Sequence, residues 1–286
     1  MQKIAVIPNE YRDPNLAETK RVAERIQSYG KTVLLERRLS EKTESSFVYG
    51  TLEEVMTEAD AAVVLGGDGT ILKIAPCAAR NDVPLIGINF GNLGFLSQAE
   101  KGDDSIFEDL FSGKFTVRQT MMLSARVLKG GKKTADYLAL NDVVISNQDY
   151  SRVVHLNLSI DGARANSYYA DGTIIATPTG STAYSLSAGG PIVQPDMDAM
   201  VITPICPHTL STRALVIAGG QTVEVSTSPP YRVAAVMTVD GRKAQVLDED
   251  EVVEITRSPY RTSLIQLPDS NFFEILRRKI SDRQDD

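Results

Sequence analysis

The chain has few of the residues that would staple it or bind a metal. Its 286 residues include two cysteines, Cys77 and Cys206, and two histidines, His155 and His208. The cysteines have no metal-like spacing, so they support neither a disulfide framework nor a cysteine zinc site. Two histidines leave little room for a histidine-rich centre. Excess positive charge is also missing: 30 Lys and Arg stand against 37 Asp and Glu, for a net charge of −7. A general nucleic-acid binder needs a basic face to displace counterions from phosphates, so the charge argues against that class. It does not argue against a small anion held in a local pocket. No stretch approaches the roughly 18 apolar residues of a membrane span. The N-terminal MQKIAVIPNE has too short an apolar run for a signal-peptide core. No internal repeat or long low-complexity tract is visible. The expectation is a soluble, cytoplasmic protein with neither a membrane nor a nucleic-acid partner. Hydrophobic residues make up 42%, as in an ordinary globular chain, and the length suggests two domains at roughly 150 residues each.

The first third alternates strand and helix patterns. Lys3–Ile7, Thr32–Leu35, Ala61–Leu65 and Leu85–Asn89 read as short apolar strands. Helical spacing covers 14–29, with Leu16, Ala17, Val22, Ala23 and Ile26 on one face and Gly30 as the stop. Shorter helices are expected around Leu52–Met56 and over 71–80. Such alternation implies an open, mostly parallel α/β sheet of Rossmann-like type. Near residue 118 the pattern changes. From Ser124 onward β-branched, alternating segments follow one another: Ala125–Leu128, Val143–Ser146, Leu156–Ile160, Thr173–Thr177, Thr222–Thr227, Val233–Val239 and Val252–Thr256. Asp161-Gly162 and Asp240-Gly241 punctuate them as turns. The fold class expected is α/β followed by β. Residues 1–118 form the α/β domain, and 119–267 a β-rich, sandwich-like domain. A helix in 268–286, with Phe272, Ile275, Leu276 and Ile280 on one face, packs back on the first domain. The last three residues read as a loose tail.

Chemistry concentrates in two stretches. Leu65-Gly66-Gly67-Asp68-Gly69-Thr70 links an apolar strand to a helix. Its glycines let backbone approach a ligand closely, and the helix start offers free N–H groups and a positive dipole end, which suits phosphate. Asp68 stands out. A carboxylate 4 Å from a phosphate charge costs roughly 4 kcal/mol at an effective dielectric of 20, so a phosphate site that keeps it must use it. It can bind through a divalent cation or take a proton from an attacking hydroxyl, and both point to phosphoryl transfer. The bland alternative is a tight βα turn with Asp68 as helix cap. Lys73, one turn further on, could reach a phosphate. The second stretch runs from Ala170-Asp171-Gly172 through Thr177-Pro178-Thr179-Gly180-Ser181-Thr182-Ala183-Tyr184-Ser185-Leu186-Ser187 to Gly189-Gly190-Pro191. A strand enters a loop dense in hydroxyls and backbone donors, and a short helix follows. With Tyr184 as a stacking face, this suits a nucleotide; the alternative is a capped surface helix. Asn141-Asp142 could chelate a ribose diol, or simply form a turn. His155 reads as a packed strand residue, and His208 as structural.

These residues together resemble the NAD kinase family. The match comprises Gly66 to Thr70, Gly87-Ile88-Asn89 with Gly94-Phe95-Leu96, Asn141-Asp142, Asp171-Gly172 with the Thr177 to Tyr184 block, and Pro207-His208-Thr209-Leu210. Order and spacing agree over nearly the whole chain. Gly-Gly-Asp-Gly alone is shared with diacylglycerol and sphingosine kinases and with phosphofructokinases; the Thr-Pro-Thr-Gly-Ser-Thr-Ala-Tyr block is far more specific. The resemblance implies a kinase that moves the terminal phosphoryl group of ATP, or of polyphosphate, to the adenosine ribose 2′-hydroxyl of NAD, giving NADP. A divalent cation, magnesium, is expected on the donor phosphates, with no metal ligand assigned to the protein. The implied roles run as follows. Asp68 is the base and also touches NAD. Gly66, Gly67, Gly69 and Thr70 form the donor-phosphate loop. Asn141 and Asp142 bind the adenosine part. Asp171 holds the nicotinamide end, together with Thr182, Ala183, Tyr184, Ser185, Leu186 and Ser187. Gly69, Lys73, Phe95, Arg152, Tyr169 and Arg242 are further NAD contacts, and a homo-oligomer is implied. Two departures stand out. Tyr169-Ala170 replaces an Arg-Gly or Arg-Ser pair ahead of Asp171, so Arg152 could supply the missing cation, and Arg242 stands where the family often has Gln. The rival readings are a lipid kinase and a catalytically silent NAD(P)-binding sensor. A lipid kinase would continue the glycine motif with Asn-Glu-Val, where this chain has Ile71-Leu72-Lys73.

Overall fold

The computed structural model describes residues 1–43, 46–91, 94–148, 153–209, 211–227, 235–268 and 271–282. The chain divides into two compact units: Met1–Gln119 with Thr262–Asp286, and Thr120–Arg261.

In the first unit β1 (Lys3–Pro8), α1 (Ala17–Ser28), β2 (Thr32–Glu36), β3 (Val48–Gly50), α2 (Leu52–Glu58), β4 (Ala61–Leu65), α3 (Asp68–Arg80), β5 (Leu85–Asn89), β6 (Ser97–Glu100) and α4 (Ser105–Ser112) follow in order. The parallel sheet runs β3-β2-β1-β4-β5, with β6 also beside β5. β4 and β5 are buried at every position, as strands covered on both faces must be. Ile4, Val6, Val63, Leu65, Ile86 and Ile88 pack with Val22 and Ile26 of α1 and Phe107 and Leu110 of α4. Thr51 caps α2 with Glu54 in a reciprocal capping box. The strand order reverses between β1 and β4. In an open α/β sheet the crevice beyond the carboxyl ends of the strands at such a reversal is where ligands bind. Here Pro8 is in register with Leu65, so the loops after both strands leave the sheet side by side.

The second unit is built from β7 (Thr116–Lys129), β8 (Lys132–Ala139), β9 (Asp142–Asn147), β10 (Val154–Ile160), β11 (Ala163–Ala170), β12 (Gly172–Ala176), α5 (Tyr184–Ser187), β13 (Ala199–Ile205), β14 (Leu215–Ala218), β15 (Val223–Thr227), β16 (Ala235–Val239), β17 (Arg242–Leu247) and β18 (Glu251–Gln266). The chain enters this unit within β7 and leaves it within β18. One sheet has the order β14-β13-β12-β9-β16-β17; β11, β10, β15 and β18 pair in a second layer, with β7 beside β18 and β8 beside β7. Inward-facing Val143, Ile145, Ile175, Met200 and Met237 of the first layer meet Leu156, Leu158, Val225, Val253 and Ile255 of the second. Alternating strands pack in this way when each sheet has one face in the core. Asp161-Gly162 and Asp240-Gly241 are tight turns, with all four residues at positive φ. α6 (Phe272–Asp282) closes the chain, with Phe272 tilted against Phe95 in the first unit.

The α/β and β-rich architecture agrees with the sequence reading. The strands that reading passed over are the less regular ones. β8 is largely exposed, and β13 is buried along its whole length and contains Pro204, so neither alternates. Ile280 of α6 and residues 233 and 234 of the expected strand 233–239 lie outside the described side chains and residues.

Candidate active site

The glycine loop leaves β4 through Gly66 at φ 153°, where a side chain would overlap the Thr70 hydroxyl. Gly67 is the N-cap of α3 and Asp68 its first residue; no side chain caps the helix. The structure therefore corrects both the expected helix start at 71 and the alternative of Asp68 as a cap. Its carboxylate instead reaches across to the segment before β6. Oδ2 accepts the Phe95 N–H at 2.9 Å, and Oδ1 accepts the Leu96 N–H at 3.3 Å and the Ser97 hydroxyl at 3.0 Å. Gly94 explains why that approach is possible, since a Cβ there would overlap the carboxylate itself. A carboxylate offers about four acceptor positions, and three donors among the described residues hold Asp68. Phe95, expected as a ligand contact, meets Asp68 through its backbone.

A cavity of about 400 Å³ adjoins this loop, lined in part by Asn9, Arg12, Arg38, Gly67, Gly69 and Lys73. A Cβ on Gly69 would meet open space. Asn9, which the sequence reading missed, ties the loop after β1 to the loop after β4. Its N–H donates to Leu65 O at 2.8 Å, and its Nδ2 to Thr70 Oγ1 at 3.0 Å. Lys73 is exposed and close enough to Glu36 to draw that carboxyl down, although burial pushes it up on balance.

In the second unit, Asn141 and Asp142 open β9. Asp142 is 4% exposed. Asp240, in the β16–β17 turn, accepts the backbone N–H groups of Leu140, Asn141 and Asp142 at 2.9, 2.8 and 3.1 Å. Burial first, and the Asp240 charge second, push the Asp142 carboxyl up to about 7. Burial also raises the Asp240 carboxyl, opposed by its three N–H donors and the Arg242 charge. Arg242 is exposed, and its charge acts on Asp240 from two positions along the chain.

The Thr-Pro-Thr-Gly loop locks onto the same backbone. Thr177 N–H donates to Asn141 O at 2.8 Å and its hydroxyl to Leu140 O at 2.6 Å. A Cβ on Gly180 would overlap the Asn141 carbonyl. Several expected contacts spend their polar groups internally. Ser185 is buried against the Thr203 hydroxyl at 2.8 Å, and the Thr182 hydroxyl donates to Thr179 O at 3.1 Å. Tyr184 is 48% exposed, and burial followed by the neighbouring Cys206, Asp171 and Asp142 raises its hydroxyl. Ala183 and Leu186 are half-buried; Ser187 and Asp171 are exposed. Tyr169 is stacked by His155 at 4.4 Å, with its carbonyl accepting the His208 N–H at 2.8 Å. Arg152 lies outside the described residues. Three buried polar atoms in this unit, Asn141 Oδ1, His155 Nδ1 and Thr179 Oγ1, have no partner among the described residues. Buried polar atoms are nearly always bonded, so each of these calls for a partner from outside the chain, a water or a ligand. Thr179 and Asp240 are residues that the sequence reading did not assign; the orphan and the clamp become visible only in three dimensions. Among the described residues no group of three or more His, Cys, Asp or Glu could hold a metal ion, and no helix is long and apolar enough to cross a membrane.

Comparison with known proteins follows the same division. Residues 4–114 match the ATP-NAD kinase N-terminal domain and residues 140–267 the ATP-NAD kinase C-terminal domain. A protein named NAD kinase from Ruminiclostridium cellulolyticum is 38% identical over 291 residues, spanning all of both chains. Another, from Acetivibrio thermocellus, is 39% identical over 99% of this chain and 98% of its own. Among solved structures, an NAD kinase from Archaeoglobus fulgidus in complex with ATP superposes with a TM-score of 0.77 at 26% identity, covering 98% of this chain and 99% of that one. A yeast NADH kinase complexed with NADH has the same fold, with a TM-score of 0.88 at 24% identity over 98% and 88%.

Proposed function

The chain belongs to the NAD kinase family, and we propose that the two clusters described above divide the work of phosphorylating NAD. The reaction transfers the terminal phosphoryl group of ATP to the adenosine ribose 2′-hydroxyl of NAD, giving NADP; a lipid acceptor and a silent sensor are set aside. The glycine loop and the start of α3 take the donor phosphates with backbone N–H groups. Asp68 accepts the proton of the 2′-hydroxyl, whose oxygen attacks the terminal phosphorus as the bond to the leaving ADP oxygen breaks. The fixed carboxylate contributes position as well as basicity, because its three donors leave one orientation. Asp142 accepts from the ribose 3′-hydroxyl, and Asn141 Oδ1 and Thr179 Oγ1 accept from other donors of the adenosine. The half-exposed ring of Tyr184 stacks on a base. A divalent cation bound to the donor phosphates would offset their charge near Asp68.

One observation supports the base assignment above the others: a helix-start aspartate that caps nothing and is gripped by a distant backbone segment. Asp68→Asn keeps the size of the side chain. NADP formation from NAD and ATP should fall by about 10²–10⁴ in kcat, with the NAD KM nearly unchanged. Wild-type turnover in this variant would end the assignment. A cytoplasmic location goes with this reading, and cell fractionation followed by assay of NADP formation tests it. A homo-oligomer is supported by β14, an edge strand with Leu215 and Val216 exposed; native mass measurement tests it.

A further inference from the structure

Tyr11 is a large aromatic ring with nothing against it. It is 94% exposed, more than any other large apolar side chain among the described residues. A ring so placed is usually on a loose segment. Here it sits on a tightly bonded turn. Asn9 Oδ1 accepts the Tyr11 N–H at 3.1 Å, and Asn9 O accepts the N–H groups of Arg12 and Asp13, both at 2.9 Å. Asp13 is buried and in turn holds the start of α1 through Thr19, whose N–H and hydroxyl donate to it at 2.8 and 2.6 Å. The same Asn9 grips Thr70 of the glycine loop. The turn is therefore fixed at the strand-order reversal, beside the phosphate loop, and Tyr11 lines the same 400 Å³ cavity as Gly67, Gly69 and Lys73.

The charges in this cavity are not equivalent. Arg38 is already neutralised by Glu10 and by a two-pronged bond to Glu36 at 2.8 and 2.9 Å. Arg12 and Lys73 form no ion pair among the described residues. The cavity thus presents Arg12, Lys73, which lies near Glu36 without an ion pair to it, and backbone donors for a phosphate chain, with an exposed π face at its rim. An inorganic phosphate chain would use only the cations and donors. A nucleoside triphosphate would use the ring as well. We propose that Tyr11 is the stacking platform for the base of a purine nucleoside triphosphate donor, with Arg12 and Lys73 on its phosphates. The inference rests on the reading of the glycine loop as the donor site, and adds that the donor is recognised as a nucleotide and not merely as a polyanion.

The test compares Tyr11→Ala, Tyr11→Phe and Lys73→Ala in the full chain, with the ATP KM measured at saturating NAD. Stacking needs the ring and not the hydroxyl, so Tyr11→Ala should raise the ATP KM about tenfold while Tyr11→Phe stays within about twofold of wild type. The NAD KM should hold in both. Magnesium tripolyphosphate, a competitor with no base, should inhibit Tyr11→Ala as it inhibits wild type and should weaken against Lys73→Ala. An unchanged ATP KM in Tyr11→Ala, or an equal rise in Tyr11→Phe, overturns the platform. A rise in the tripolyphosphate inhibition constant in Tyr11→Ala matching the rise in ATP KM also overturns it, because the ring would then act on phosphate. Failure of the wild-type enzyme to make NADP would instead sink the donor-site reading beneath it. Tyr11 buries almost nothing, so its loss leaves the core intact.

Discussion

Asp142 makes the sharpest quantitative prediction, because its environment opposes the charge its function needs. The carboxyl is buried beside Asp240 and is pushed from 3.8 up to about 7. Two adjacent buried carboxylates cannot both ionise cheaply. Asp240 has three backbone N–H donors and the Arg242 charge favouring its anion, so the proton settles on Asp142. The shift of about three units corresponds to roughly 4 kcal/mol. Its sign follows from linkage. The unfolded chain gives up this proton near pH 4 and the folded chain only near 7, so the stability Asp142 contributes is complete below about pH 4 and is lost as pH rises through about 7. A ribose hydroxyl that donates a hydrogen bond to Asp142 favours the anion. NAD binding must therefore ionise Asp142 below pH 7, and NAD affinity should weaken about tenfold between pH 8 and pH 6. Equilibrium titration of NAD without donor is the suitable assay, because it excludes proton transfer at Asp68. In Asp142→Asn the pH dependence should vanish and overall affinity should fall, since a charged hydrogen-bond partner is worth about 1.5–3 kcal/mol. Above pH 7 the free variant should also melt higher than the wild type, by up to about 4 kcal/mol of stability. A wild-type NAD affinity flat from pH 6 to 8, or a variant that melts lower at pH 8, would refute the reasoning.

Two substitutions probe the supports and the ring. Gly94→Ala places a methyl group where the Asp68 carboxylate lies, so kcat should fall towards that of Asp68→Asn while circular dichroism shows an intact fold; undiminished kcat would mean that the grip of residues 95–97 on Asp68 is dispensable. Tyr184→Phe should bind NAD nearly as well as wild type and Tyr184→Ala should lose about 1–3 kcal/mol, measured by titration; equal losses would assign the effect to the hydroxyl.

The fold class was legible because the evidence for it is local. Gly30 ends α1, apolar runs with no alternation mark β4 and β5, and Asp-Gly pairs at positive φ mark the hairpin turns. The glycine loop and the Thr-Pro-Thr-Gly block were legible for the same reason, since each lies within one short stretch of chain. What positions them was not legible. Asp68 is held by residues 27 to 29 positions away, and Asn141-Asp142 is clamped by Asp240 about a hundred positions away. No periodicity encodes such pairs; they exist because β5 brings the segment before β6 beside α3, and because β16 pairs with β9. Asn9 shows the limit most clearly. In sequence it is a polar residue after a strand-ending proline, with no motif around it. It reaches Thr70, 61 positions on, only because β1 lies next to β4, and that adjacency is the strand-order reversal itself. The reversal gives the loops after both strands a shared crevice, and only a residue standing in one of those loops can join them. A sequence pattern can thus nominate the loop that carries the chemistry, while the residues that aim it are fixed by which strands become neighbours.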